Sequence, residues 1–191
     1  TSKPIDGTSA ESYLINRGIN ITSDHLRYHP AMLHTPKGIF TEALISRVSD
    51  GKNKFMAIQR TYLNGGYKAD VQPVKMTLGS TAGGTVKLSK ITDGVLGIAE
   101  GIETALTIIQ ELDIPTWACL GVNTLYKIEI PPPGILNEIQ VFVDGDETGK
   151  EALKKAGDIW LNRGYKVFDC QAPKDKDYND LLMEEVNGTH S

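Results

Sequence analysis

The sequence predicts an α/β fold in which a parallel sheet carries helices on both faces and is preceded by a small mixed α+β lobe. Three observations predict it. From Gly94 onward short apolar runs alternate with amphipathic stretches of helical period, and before Gly94 longer β-type runs flank turn sequences. The charge divides at the same place. Residues 1–94 hold 12 Lys and Arg against 7 Asp and Glu, whereas residues 95–191 hold 8 against 17, so a basic platform adjoins an acidic body.

In the first lobe, Thr8-Ser9-Ala10-Glu11 has the spacing of a capping box. It opens a short helix with Ala10, Tyr13 and Leu14 on one face that stops near Arg17 and Gly18. A loop containing His25, His29 and Pro30 follows. The runs ALISRVS and KFMAIQRTYL flank Asp50-Gly51-Lys52-Asn53, which predicts two antiparallel strands joined by a hairpin. Asn64-Gly65-Gly66 makes a further turn, and MTLGSTAGGTVKL reads as a loop leading into another strand.

In the second part VLGIAE reads as a strand, ETALTIIQEL as a helix and TWACL as a strand, with one helical turn at NTLYKI. After the Pro131-Pro132-Pro133-Gly134 break comes the strand IQVFVD. A helix from about Thr148 to Asn162 then carries Ala152, Leu153, Ala156, Ile159 and Trp160 on one stripe. YKVFDC is a fourth strand, and DYNDLLMEE begins a last helix. In such sheets the functional crevice lies beyond the carboxyl ends of the strands.

A chain of 191 residues with 40% hydrophobic residues can bury a core without staples. No apolar run reaches the ~18 residues of a membrane span, and no basic-then-apolar leader opens the chain, so a cytoplasmic protein without a membrane partner is expected. The polar opening TSKPIDGTS without Met reads as the start of a piece of a larger protein. Cys119 and Cys170, far apart and without CxxC spacing, are expected to be reduced core residues. His25 and His29 lack the further ligands of a zinc site. GDETGKE has the wrong glycine spacing for a P-loop and places Glu151 where Ser or Thr should stand.

The chemistry concentrates in acids at strand ends. Glu100 ends the first parallel strand, beside Gly101, and Asp144 and Asp146 end IQVFV, two residues apart, so three carboxylates converge from two strands. Unpaired they repel one another, and the arrangement makes electrostatic sense around a hard cation, magnesium or manganese. Asp175, Asp177 and Asp180 follow the fourth strand near the same crevice, where acids serve equally well as helix caps. Arg60, Lys68, Lys75, Lys87 and Lys90 are the cations of the first lobe available to a polyanion, with Arg60, Lys68 and Lys87 the preferred nucleic-acid contacts.

LGIAEGIETAL and VFVDGDETGKEAL resemble the Glu motif and the DxD motif of the Toprim superfamily, shared by bacterial-type primases, type IA and II topoisomerases and some nucleases. More closely, the succession GTSAESYLINRGI, AIQRTYL, TLGSTAGGTVKL, EGIETAL, DGDETG and DKDYNDLL resembles the Toprim module of phage and plasmid primases and primase-helicases, over nearly the whole chain. The resemblance implies a Rossmann-like Toprim domain over 95–191 behind a basic lobe over 1–94. It implies that Glu100 is a general acid/base or metal-proximal carboxylate, that Asp144 and Asp146 bind magnesium, and that Asp177 and Asp180 assist. The implied activity is primer synthesis in DNA replication by nucleotidyl transfer, with single-stranded DNA template and nucleoside triphosphates as partners and a helicase or zinc-binding module in the parent protein. A Toprim nuclease or a non-catalytic nucleic-acid-binding module are the alternatives. Thr148 stands where the topoisomerase pattern DxDxE requires an acid, which argues against that branch.

Overall fold

The computed structural model describes residues 1–144, 146–173 and 176–188. Helix α1 (Ser9–Ile15) begins at Thr8, whose hydroxyl oxygen accepts from the Ala10 N–H, as the capping spacing predicts. Strands β1 (Leu26–His34), β2 (Ile39–Ser49), β3 (Phe55–Asn64), β4 (Tyr67–Lys68) and β5 (Lys75–Gly79) form one antiparallel sheet in which β3 also pairs with β5. The hairpin at Asp50–Asn53 is where the turn residues place it, with β2 and β3 in register from Glu42↔Leu63 to Val48↔Ala57.

The structure departs from the sequence reading at two points. β1 occupies the stretch read as a loop around His25, His29 and Pro30. Its register against β2 shifts between His29 and Met32, so the ladder is interrupted where proline offers no N–H to a partner. The segment read as a loop from Met76 begins as strand β5, paired with β3 from Thr61↔Lys75 to Ala57↔Gly79, and in place of the further strand expected after it there are isolated bridges at Thr85 and Val86.

The second part is a four-stranded parallel sheet in the order β7-β6-β8-β9, made of β6 (Val95–Ala99), β7 (Thr116–Ala118), β8 (Glu138–Phe142) and β9 (Lys166–Asp169). Helices α2 (Ile102–Leu112), α3 (Glu147–Asn162) and α4 (Tyr178–Gly188) and a 3₁₀ turn (Val122–Lys127) flank it. One sheet face packs on α3 around Leu153, Ala156 and Trp160. The other face packs on α2 in a core that continues through Tyr13 and Leu14 of α1, Leu44 of β2 and Leu182 of α4, so the two lobes share one apolar interior. Both cysteines are free, Cys119 buried and Cys170 partly so. No helix among the described residues is long and apolar enough to cross a membrane.

Candidate active site

β6 and β8 are parallel neighbours in register at Ala99↔Phe142, so the residues just beyond their carboxyl ends emerge side by side. Glu100 comes from one strand end and Asp144 from the other, and both are half-buried. Burial, and then the charges of Asp144 and Asp146, push the Glu100 carboxyl up to about 7, against the pull of the Val122 N–H and the Lys75 ammonium. Burial, followed by the charges of Asp177, Asp146 and Asp180, also holds the Asp144 carboxyl above the usual range. Asp146, Asp177 and Asp180 thus all bear on Asp144, and Asp144 and Asp146 bear on Glu100.

Asp146 is exposed and caps α3: its Oδ1 accepts from the Gly149 N–H at 2.7 Å. Asp177 and Asp180 cap the start of α4 reciprocally, each carboxylate accepting the other's backbone N–H, at 2.8 and 3.0 Å. The structure shows the capping reading of Asp177 and Asp180, and their charges also bear on Asp144. Asp175 and Gly145, singled out in the sequence, lie outside the described residues.

Gly149 has a role the sequence reading did not assign. A Cβ there would stand 2.4 Å from the Asp144 carbonyl oxygen, and its N–H holds Asp146. We expect Gly149→Ala to displace the turn bearing both aspartates and to cost about 1–3 kcal/mol, measured by urea unfolding. A cost below the error of that measurement would mean that the turn yields freely.

The carboxylates face a wall of cations from the first lobe. Arg17, Lys68 and Lys75 line the same crevice, of about 170 Å³, as Glu100, Asp144 and Asp177. Strand alternation explains which cations arrive there. Thr61 pairs with Lys75 and Leu63 with Lys68, so both lysines share the inner face of the antiparallel sheet with the buried Leu63. Arg60, one residue from Thr61, points to the outer face; it is 7% exposed, near the Tyr62 ring. Lys87 lines a separate cavity of about 620 Å³ with His25, Ser89 and Lys90, its ammonium 4.7 Å from the centre of the Trp117 ring. Of the three preferred basic residues the structure brings only Lys68 to the carboxylates, together with Lys75 from the wider set of candidates and Arg17, which the sequence reading did not count among them.

Buried polar groups lock two of these cations in place. Lys75 Nζ lies 2.9 Å from Oε2 of Glu103, whose Oε1 accepts from the Tyr13 hydroxyl at 2.6 Å. Burial alone would raise the Glu103 carboxyl, but Lys75 and the Tyr13 hydroxyl override it and bring it down to about 2. Arg17 Nε donates to Asn179 Oδ1 at 3.0 Å, and the fully buried Asn179 donates in return to the Arg17 carbonyl and to Thr107 Oγ1.

The donors of the crevice are carboxylate oxygens in mutual repulsion, which suits a hard divalent cation and not a soft one. Among the described residues no three His, Cys, Asp or Glu side chains stand close enough to hold an ion between them. An ion bound by Asp144 and its neighbours would complete its shell with water and substrate oxygens, as magnesium does.

Residues 95–188 match the Toprim domain family, and residues 1–88 match a domain of unknown function, DUF7146. No curated protein sequence matches the chain. Among solved structures, the Aquifex aeolicus primase (zinc-binding and RNA polymerase domains) is 16% identical with a TM-score of 0.65, covering 98% of this chain and 55% of that one. A DNA primase domain from Pseudomonas aeruginosa is 14% identical with a TM-score of 0.62, covering 94% and 68%. The primase fragment of the bacteriophage T7 primase-helicase is 17% identical with a TM-score of 0.57, covering 85% and 63%. At these identities the likeness is one of fold. Residues 95–188 are a Toprim domain, and with the antiparallel lobe before it the chain has the fold of a primase core.

Proposed function

We propose that the chain is the catalytic core of a primase, joining nucleoside triphosphates on a single-stranded DNA template in the presence of magnesium or manganese. The observation that carries this reading is the crevice in which Glu100, Asp144 and Asp177 face Arg17, Lys68 and Lys75. Carboxylates without cations would suit an ion alone; cations without carboxylates would suit any phosphate. Together they fit a metal-bound polyphosphate.

When bound, the ion neutralises phosphate charge and lowers the pKa of the attacking hydroxyl. Asp144 and Asp146 would hold it, with Asp177 and Asp180 adding negative charge from the start of α4. Glu100, whose carboxyl is raised toward neutrality, accepts the proton of the 3′-hydroxyl. The hydroxyl oxygen bonds to the α-phosphorus as the bond to the pyrophosphate oxygen breaks. Arg17, Lys68 and Lys75 hold the triphosphate and the departing pyrophosphate. Lys87 and Lys90, which line a separate cavity, meet the phosphates of the template in this reading. Arg60, buried on the outer face, stands outside this path. A zinc-binding module or a helicase, of the kinds that the names of the Aquifex and T7 structures give for those proteins, would supply template capture in the parent protein.

The test is an assay with a labelled single-stranded DNA template, nucleoside triphosphates and magnesium or manganese. Metal-dependent synthesis of short products is the expected result. Degradation of the template instead would identify a nuclease with water as nucleophile, and metal-independent binding without either product would identify a binding module.

A further inference from the structure

Glu103 is a charged residue inside a core. It lies in α2, three positions after Glu100, is 5% exposed, and stands in the wall of the same crevice. A carboxylate costs several kcal/mol to bury unless it is paired and hydrogen-bonded. Here both of its oxygens are used in separate directions. Oε2 receives the Lys75 ammonium from β5 and Oε1 receives the Tyr13 hydroxyl from α1. The side chain thus joins three elements of two lobes at the rear of the crevice.

We propose that Glu103 is a positioning residue for nucleotide binding, fixing the Lys75 ammonium at the crevice so that it meets the triphosphate, with Tyr13 fixing Glu103 in turn. The inference rests on the reading of the crevice as a nucleoside triphosphate site. A lysine side chain has four rotatable bonds and loses about 2 kcal/mol of rotamer freedom when ordered. Pairing it in advance with a rigid buried carboxylate removes most of that loss from the binding step. One carboxylate also leaves ammonium hydrogens for a phosphate, since the group has three donors and the Lys75 side chain remains 32% exposed. The strongly lowered Glu103 carboxyl is consistent with a pair that stays ionised across the working pH range.

The arrangement predicts coupling. Affinity for fluorescently labelled ATP with magnesium is measured by polarisation for wild type, Glu103→Gln, Lys75→Gln and the double variant, with thermal unfolding of each as a control for folding. Lys75→Gln keeps an N–H donor for Glu103, so the carboxylate is not left bare. Glu103→Gln alone is expected to weaken ATP binding about tenfold, raising KM for nucleotide with kcat little changed. In the Lys75→Gln background the same substitution is expected to cost less than twofold, because Glu103 acts through Lys75. Tyr13→Phe, which leaves the ion pair in place, is expected to weaken binding by about threefold and to lose that effect in the Lys75→Gln background. Equal costs of Glu103→Gln in both backgrounds would overturn the inference while leaving the triphosphate site standing. Absence of ATP binding by the wild type would overturn the site reading and this inference with it.

Discussion

Asp144→Asn is expected to lower metal-dependent primer extension by at least about a hundredfold and, at the same time, to make the metal-free protein more stable. The two effects have one cause. Asp144 is half-buried and feels the charges of Asp177, Asp146 and Asp180, with burial itself opposing ionisation. The amide keeps the shape and removes the repulsion. It also removes the charge that would hold the ion. We expect a gain of about 0.5–2 kcal/mol, the size of the usual gain when a functional group is traded for stability, in urea unfolding with a chelator present. Addition of magnesium should raise the midpoint of wild-type unfolding and leave that of an Asp144→Asn, Asp146→Asn double variant unmoved. Extension within tenfold of wild type would remove Asp144 from the metal site. A loss of stability would show that Asp144 contributes to the fold in some other way.

Lys75→Met should have the largest effect on stability. The substitution removes the ammonium and leaves a buried carboxylate with the Tyr13 hydroxyl as its side-chain hydrogen-bond partner from outside its own helix among the described residues. Breaking such a pair costs about 3 kcal/mol, at the lower end of the range because Lys75 is itself partly exposed, which for a chain of this size is a drop in Tm of about 10 °C. The pH dependence follows from the sign of the shift. In the wild type the Glu103 carboxyl lies at about 2, below its ordinary 4.5, so the stability it contributes is present above about 4.5 and is lost as pH falls toward 2. Without Lys75 the dominant effect is burial, which raises the carboxyl, so the variant gains stability as pH falls and Glu103 takes up its proton. The gap between variant and wild type should therefore narrow steadily from pH 7 to pH 4 in thermal scans. Adding Glu103→Gln should recover most of the loss at pH 7. A gap that stays constant with pH would mean that the lost stability comes from the lysine stem and not from the charge.

Glu100 and Asp144 were legible in the sequence because their signal is local, whereas Glu103 in the wall of the same crevice was not. Glu100 beside Gly101 and the pair Asp144 and Asp146 each end an apolar run, and the parallel fold places strand ends together without further information. The cations were not legible in the same way. Whether Arg60 or Lys75 faces the crevice depends on the register of β3 against β5, and a shift of one residue would exchange the faces. The locks are less visible still, since Tyr13 meets Glu103 across 90 positions and Arg17 meets Asn179 across 162. Strand β1 was hidden by Pro30, which argues against a strand until the shift in register that accommodates it is known. Gly149 stood in a quoted motif, yet its necessity rests on the 2.4 Å approach of a carbonyl that only the folded turn reveals.

The bond between Arg17 and Asn179 has a consequence for how the chain is made. Helix α1 shares its core with Leu182, and Arg17 just after it is tied to Asn179, so α1 completes its surroundings only after α4 has been synthesised. During translation Tyr13 and Leu14 must wait, exposed or loosely covered, for a partner more than 160 positions behind them. Contacts of that range are closed late and at an entropic cost. The crevice is therefore completed only once α4 has been made, and a nascent chain lacking α4 would present an unfinished core to chaperones.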